Sequence, residues 1–344
     1  MKFDRLAILG VGAIGSVIGG YLTRAGHDIT LIDMWADHVE AMKKDGLRIT
    51  ALDDDFTVPV KAMHLGEVSN VSEPFDAVFL AVKSYDTVWA THFIMRYLKP
   101  TGIIISAQNA INDEIIAPIV GYTREIGCVI TLGAGLYEPG HAQRTSTPDR
   151  HSFTLGEPSG MATERVKALV QIMTAAGPAK VTSNLWGERW AKLATNSMAN
   201  PVCSLTGIGS AAVRLTPETA DISVKVASEV VKVGKAHGVE VEPINGIPAA
   251  KYEQAGDATV MEEIKSQLAE GAGQLGEGRP SMYQDVLKGR RTEIEFLNGY
   301  VARRGKEADV PTPVNEAITR LLKQIELGEL KPDIENAKLL EQYI

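Results

Sequence analysis

The chain has 344 residues, 44% of them hydrophobic and 23% charged, with a formal net charge of −8 and two cysteines, Cys128 and Cys203. The acidic balance argues against nucleic acid or an anionic membrane as the main partner, and two distant cysteines supply neither a disulfide framework nor a metal-binding spacing. The length accommodates two domains with substantial cores, and no basic region followed by a cleavable apolar segment opens the chain, so a cytoplasmic enzyme is the expectation.

The first apolar run, Leu6-Ala7-Ile8-Leu9, leads into Gly10-Val11-Gly12-Ala13-Ile14-Gly15 and then a small-residue apolar stretch from Val17 to Leu22. That order predicts a strand, a tight glycine turn and a helix. Gly10 permits the turn, Gly12 lets a pyrophosphate approach bare backbone, and Gly15 lets the helix pack close to the strand. The backbone N–H groups of Ala13, Ile14 and Gly15 open the helix, where partial positive charge favours phosphate. Hydropathy alone would allow a membrane span from Leu6 to Leu22, but its five glycines argue against one.

A second run, Ile29-Thr30-Leu31-Ile32, ends in Asp33. A carboxylate there accepts hydrogen bonds from the adenosine ribose hydroxyls and repels a 2′-phosphate. Met34 and Trp35 follow, with no cation nearby, so the pattern points to NAD ahead of NADP. Further strands are expected at Ala77–Val82, Gly102–Ser106 and Cys128–Leu132, with Phe153–Gly156 and Ala179–Thr182 as the last of the sheet. Strand–helix alternation of this kind builds a parallel sheet covered on both faces. Lys83 follows one strand directly, and Gln108-Asn109 follows another. In open α/β sheets the ligand lies beyond the carboxyl ends of the strands, so Lys83 and Asn109 read equally as cofactor contacts and as solvated turn residues.

From about Ser183 the strand signal fades and a helical domain begins, giving expected domains of 1–183 and 184–344. Lys192, Asn196 and Asn200 lie four residues apart and fan across one helix face, with Pro201 expected to bend or stop the helix at Asn200. A lysine and two amides on one stripe hold a carboxylate and hydroxyls and protonate a carbonyl oxygen; the same stripe also reads as a solvated face. Thr216-Pro217 marks a helix start and His237-Gly238 a stop. Gly271 to Pro280 reads as a loop. Ser281 and Glu293 lie twelve residues apart, about 18 Å along a straight helix, so both reach one small substrate only if the chain turns between them, at Gly289.

These blocks together resemble the ketopantoate reductase (2-dehydropantoate 2-reductase) family. The resemblance rests on Gly10–Gly15, Ala81-Val82-Lys83, Gln108-Asn109, Trp190–Pro201 and Ser281–Gly299, in order and across essentially the whole chain. It implies an N-terminal Rossmann-type doubly wound α/β sheet followed by an all-α C-terminal domain of the 6-phosphogluconate dehydrogenase C-terminal type. It implies hydride transfer from a nicotinamide cofactor to the 2-keto group of a small acid, a step of pantothenate and coenzyme A synthesis. Carried over, Lys192 is the general acid and Glu293 its catalytic partner. Asn196, Asn200 and Ser281 hold the substrate, and Lys83 and Asn109 line the cofactor site. The chain departs from the family at Asp33, where NADP-dependent members carry a basic residue, at Ala110, where Gly is usual, and at Gly278, where Asn is frequent. An NAD-dependent D-2-hydroxyacid dehydrogenase of the mandelate type is the alternative within the family, and a non-catalytic dinucleotide sensor the alternative outside it. A homodimer is expected, with neither nucleic acid nor membrane as partner.

Overall fold

The computed structural model describes residues 3–274 and 278–344. The chain divides into two units, Met1–Leu185 and Trp186–Ile344.

The first unit is built on twelve strands and five helices. The strands are β1 (Leu6–Leu9), β2 (Ile29–Asp33), β3 (Leu47–Thr50), β4 (Asp55–Val58), β5 (Lys61–His64), β6 (Phe75–Leu80), β7 (Leu98–Ser106), β8 (Glu125–Ile130), β9 (Ala134–Glu138), β10 (His141–Arg144), β11 (Phe153–Gly156) and β12 (Ala179–Val181). The helices are α1 (Ala13–Arg24), α2 (Ala36–Asp45), α3 (Thr87–Met95), α4 (Asp113–Val120) and α5 (Glu164–Met173). Eight strands form one sheet in the order β12-β11-β8-β7-β6-β1-β2-β5. Strands β5, β2, β1, β6, β7 and β8 are mutually parallel, while β11 runs antiparallel to β8 and parallel to β12. This is the doubly wound Rossmann-type order expected from the sequence, with its reversal between β1 and β6. Side chains of Leu6, Ala7, Ile8 and Leu9 are buried, as a strand covered on both faces requires.

Two features lay outside the sequence expectation. A second sheet, β4-β3-β10-β9, joins segments nearly a hundred residues apart through the parallel pairing of β3 with β10. Strand β5 adds the outermost parallel strand to β2. These strands are four or five residues long, and their alternating or partial burial leaves no continuous apolar run to read.

The second unit is helical: α6 (Leu185–Thr206), α7 (Ser210–Leu215), α8 (Pro217–Ala236), α9 (Ala249–Glu253), α10 (Ala258–Glu270), α11 (Ser281–Leu287), α12 (Asn298–Glu307) and α13 (Pro313–Glu326). Helix α8 starts at Pro217 and ends at His237 ahead of Gly238, whose φ is +76°. Ile222, Val226 and Val230 are fully buried on one face of it. Gly234 of α8 lets the Trp190 ring of α6 close in: an added Cβ would sit 2.9 Å from its Cε3. No helix among the described residues is long and apolar enough to cross a membrane. Within the loop expected from Gly271 to Pro280, Ala272–Gln274 forms one 3₁₀ turn, and 275–277 lie outside the described residues.

Of the two outcomes expected at Pro201, a bend or a stop, the stop does not occur: α6 runs on to Thr206. A mid-helix proline removes one backbone donor and costs about 3 kcal/mol. Here the carbonyl left without its usual donor, Ser197 O, accepts from the Asn298 side-chain amide at 3.2 Å. Beyond the proline, Val202, Cys203 and Leu205 are fully buried, so tertiary packing outweighs the local penalty.

Candidate active site

The glycine loop between β1 and α1 has the geometry its sequence predicts. Gly10 has φ +96°, and a Cβ there would lie 2.6 Å from Val82 N, where the loop passes the end of β6. A Cβ on Gly15 would lie 2.2 Å from Gly10 O, so only glycine lets α1 approach the turn. Gly12 is exposed, and a Cβ built on it meets nothing within 4 Å. That open space lies directly at the N-terminus of α1, and Gly12 makes no side-chain cap there. Bare backbone facing open space at a helix N-terminus fits a pyrophosphate.

Asp33, at the carboxyl end of β2, is held from both sides. Its Oδ2 accepts from Val11 N at 2.5 Å and its Oδ1 from Trp35 N at 2.8 Å. Each carboxylate oxygen keeps a further lone pair for a ribose hydroxyl. Sequence reasoning missed the residue that steadies this loop from behind. His38 of α2 is fully buried. Its Nδ1 accepts from Gly140 N at 2.8 Å, which assigns the proton to Nε2. Nε2 then donates to Ser16 Oγ at 3.2 Å, and Ser16 Oγ donates to Val11 O at 3.1 Å. A single chain of hydrogen bonds thus runs from the turn before β10, through His38 and Ser16, to the glycine loop and Asp33.

Burial pushes the His38 pKa below its ordinary value of 6.5, and the charge of Asp33 opposes the fall. The imidazole contribution to stability is therefore complete above about pH 6.5 and is lost as pH drops below it, because the unfolded chain takes up a proton first. His38→Leu strands the buried Gly140 N–H, and its expected cost is about 1–3 kcal/mol, read as a lower melting temperature. His38→Gln, which keeps one acceptor and one donor, is expected to recover most of that loss. Equal loss in both variants would count against the relay.

Lys83 sits just past β6, which borders the reversal of the sheet order, and Asn109 just past the neighbouring β7. Both are half-buried. Their loops are tied together: Gln108 Nε2 donates to Val82 O at 2.9 Å and to Thr87 Oγ1 at 2.8 Å, and Asn112 Nδ2 donates to Ser84 Oγ at 3.0 Å and to Asn109 O at 2.7 Å. Ala110 is buried with φ +62°. An L-residue held in that region costs about 1–2 kcal/mol.

In the helical unit, Lys192, Asn196 and Asn200 share one face of α6 and span about 12 Å of its axis. Lys192 is half-buried; Asn196 and Asn200 are 8% and 5% exposed. The stripe is therefore no solvated face. Asn200 Oδ1 and Ser197 Oγ are buried with no hydrogen-bond partner among the described residues, which is costly unless a ligand or water supplies one. Glu293, 5% exposed, begins a 3₁₀ turn (Ile294–Phe296) that leads into α12. That segment lies along α6: Asn298 reaches Ser197 O, and the Tyr300 ring is 5.9 Å from Trp190. Ser281 begins α11, which docks beyond the end of α6 through Tyr283 Oη to Gly207 O at 2.8 Å. The chain turns between Ser281 and Glu293 at Gly289, φ +61°. Among the described residues no cluster of His, Cys, Asp and Glu has the makings of a metal site.

Two family models match the chain: "Ketopantoate reductase PanE/ApbA" over residues 6–160 and "Ketopantoate reductase PanE/ApbA C terminal" over residues 184–326. A 2-dehydropantoate 2-reductase from Aquifex aeolicus is 32% identical, covering 96% of this chain and 99% of its own length. The crystal structure of a PanE/ApbA family ketopantoate reductase from Ralstonia eutropha JMP134 superimposes with a TM-score of 0.78 at 26% identity, covering 94% of this chain and 99% of that one. A D-mandelate dehydrogenase solved with NADH and anilino(oxo)acetate shares the fold, with a TM-score of 0.81 at 23% identity over 94% of this chain and 99% of its own.

Proposed function

Because the chain belongs to the ketopantoate reductase PanE/ApbA family, we propose that it reduces ketopantoate (2-dehydropantoate) to pantoate, with NADH preferred over NADPH. The observation that carries the reading is the stripe of half-buried Lys192 and buried Asn196 and Asn200, with an acceptor on Asn200 that no group among the described residues satisfies. A ligand carrying a hydroxyl donor answers that need.

The cradle at Gly12 and the paired oxygens of Asp33 suit a dinucleotide in the first unit, with Lys83 and Asn109 beside its nicotinamide half. When bound, the nicotinamide supplies the hydride that reaches C2 of the keto acid. Lys192 transfers a proton from Nζ to the carbonyl oxygen as its negative charge grows, so that C–H and O–H bonds form as the C=O π bond breaks. Glu293 accepts from the hydroxyl formed at C2 and orients the ammonium. Asn196, Asn200 and Ser281 fix the carboxylate and hydroxyl without adding charge, which supplies orientation. The reading includes a homodimer in a cytoplasmic setting.

The specific competitor is an NAD-linked D-2-hydroxyacid dehydrogenase of the mandelate type, favoured by Asp33. Initial rates with NADH and NADPH across a panel of 2-keto acids separate the two. Ketopantoate is expected to give the highest kcat/KM; an aryl or other branched keto acid far ahead of it would overturn the assignment. Asn196→Ala is expected to raise KM for ketopantoate by about tenfold, the loss of one good hydrogen bond, with a smaller change in kcat. An unchanged KM would remove Asn196 from the binding face.

A further inference from the structure

We infer that Asn298 is a positioning residue for the substrate face of α6, acting by supplying the hydrogen bond that Pro201 cannot. The inference rests on the substrate role proposed for Asn200 and deepens it.

In a regular helix the N–H of residue 201 would donate to Ser197 O, four residues back. Proline has no N–H, and its ring crowds that carbonyl. The interrupted turn, 197–201, is the one that carries Asn200. Left alone, this turn has a free carbonyl and no bond to fix its pitch, so the amide of Asn200 would point over a range of directions.

Asn298 closes the gap from outside the helix. It is fully buried at the start of α12. One hydrogen of its Nδ2 goes to Ser197 O at 3.2 Å and the other to Asn315 Oδ1 at 3.0 Å. Asn315 is held in turn: its Nδ2 donates to Glu229 Oε2 at 2.7 Å and to Val226 O at 3.3 Å. The Glu229 carboxylate also accepts Val314 N at 3.0 Å and Asn315 N at 2.9 Å, at the N-terminus of α13. Both amides are oriented without ambiguity, since every donor in the chain meets an acceptor. The broken turn of α6 is therefore braced against α8 and α13 through a buried polar chain, and such chains fix geometry more tightly than apolar contact does.

Among the described residues, the buried atoms Asn298 Oδ1, Ser197 Oγ and Asn200 Oδ1 meet no hydrogen-bond partner. All three belong to or flank the turn interrupted by Pro201.

The test is a rescue. Asn298→Ala is expected to raise KM for the keto acid by about tenfold with a smaller change in kcat, and to leave NADH affinity, read by fluorescence titration, unchanged. Adding Pro201→Ala restores the missing N–H to Ser197 O. The double variant is expected to return KM to within about threefold of the unaltered enzyme. Melting temperatures are measured alongside. A fall in melting temperature with an unchanged KM would make Asn298 a core brace alone and overturn the inference. So would a double variant as impaired as Asn298→Ala. If Asn298→Ala does not fold, the double variant is assayed directly, and a raised KM in it overturns the inference equally. Asn200→Ala serves as the reference. A raised KM there with a normal one in Asn298→Ala rejects the brace and spares the substrate reading, whereas a normal KM in Asn200→Ala rejects the substrate reading itself.

Discussion

Lys192→Ala is expected to lower kcat by about a hundred- to ten-thousand-fold, the range spanned by loss of a positioned general acid. On the scale of 1.36 kcal/mol per tenfold, that is about 3–5 kcal/mol of transition-state stabilisation. The physical reason is the timing of charge. Hydride arrival turns a weakly polar carbonyl into an alkoxide, so a nearby ammonium interacts far more strongly with the transition state than with the bound keto acid. KM is therefore expected to change much less than kcat. The half-buried setting of Lys192 between buried Ala191 and Leu193 limits the water that would otherwise substitute for it. Steady-state rates with saturating NADH, together with single-turnover rates, provide the check. Turnover within a fewfold of the unaltered enzyme would remove Lys192 from the chemistry.

The second large effect is expected at Asp33, and the structure changes how it must be tested. Asp33→Ala is expected to remove the acceptors proposed for the ribose hydroxyls and the repulsion against a 2′-phosphate, so NADH loses affinity relative to NADPH. Hydrogen bonds to a charged group are worth about 1.5–3 kcal/mol, so the NADH-to-NADPH ratio of kcat/KM should fall by about ten- to a hundredfold. Yet the same carboxylate also receives Val11 N and Trp35 N. Alanine therefore also loosens the glycine loop and weakens both cofactors. Asp33→Asn keeps an acceptor for one of these backbone donors while removing the charge. It is expected to shift the ratio in the same direction with less loss in total activity. A ratio unchanged in both variants would show that Asp33 serves the loop alone.

Much of the candidate site was legible in the chain because its chemistry is local. The three glycines, the strand before them and the helix after them lie within twenty residues; close backbone contacts require Gly10 and Gly15, and Gly12 faces open space. The stripe of Lys192, Asn196 and Asn200 follows from helical periodicity alone. At Pro201 the local rule left a bend or a stop open, and the folded unit carries α6 on to Thr206 without a stop.

By itself, then, the amino-acid order determined the glycine loop, the acid at Asp33, the change from alternating strands to helices, and the polar face of α6. Each of these is fixed by residues within a few turns of one another. Only the tertiary structure decided that Gly140 addresses His38 across 102 residues, that Asn298 addresses Ser197 across 101, and that β3 joins β10 in a second sheet. Such pairings are chosen by burial: a polar group enclosed far from water must find its partner wherever the chain happens to bring one, and no local pattern records which residue that will be.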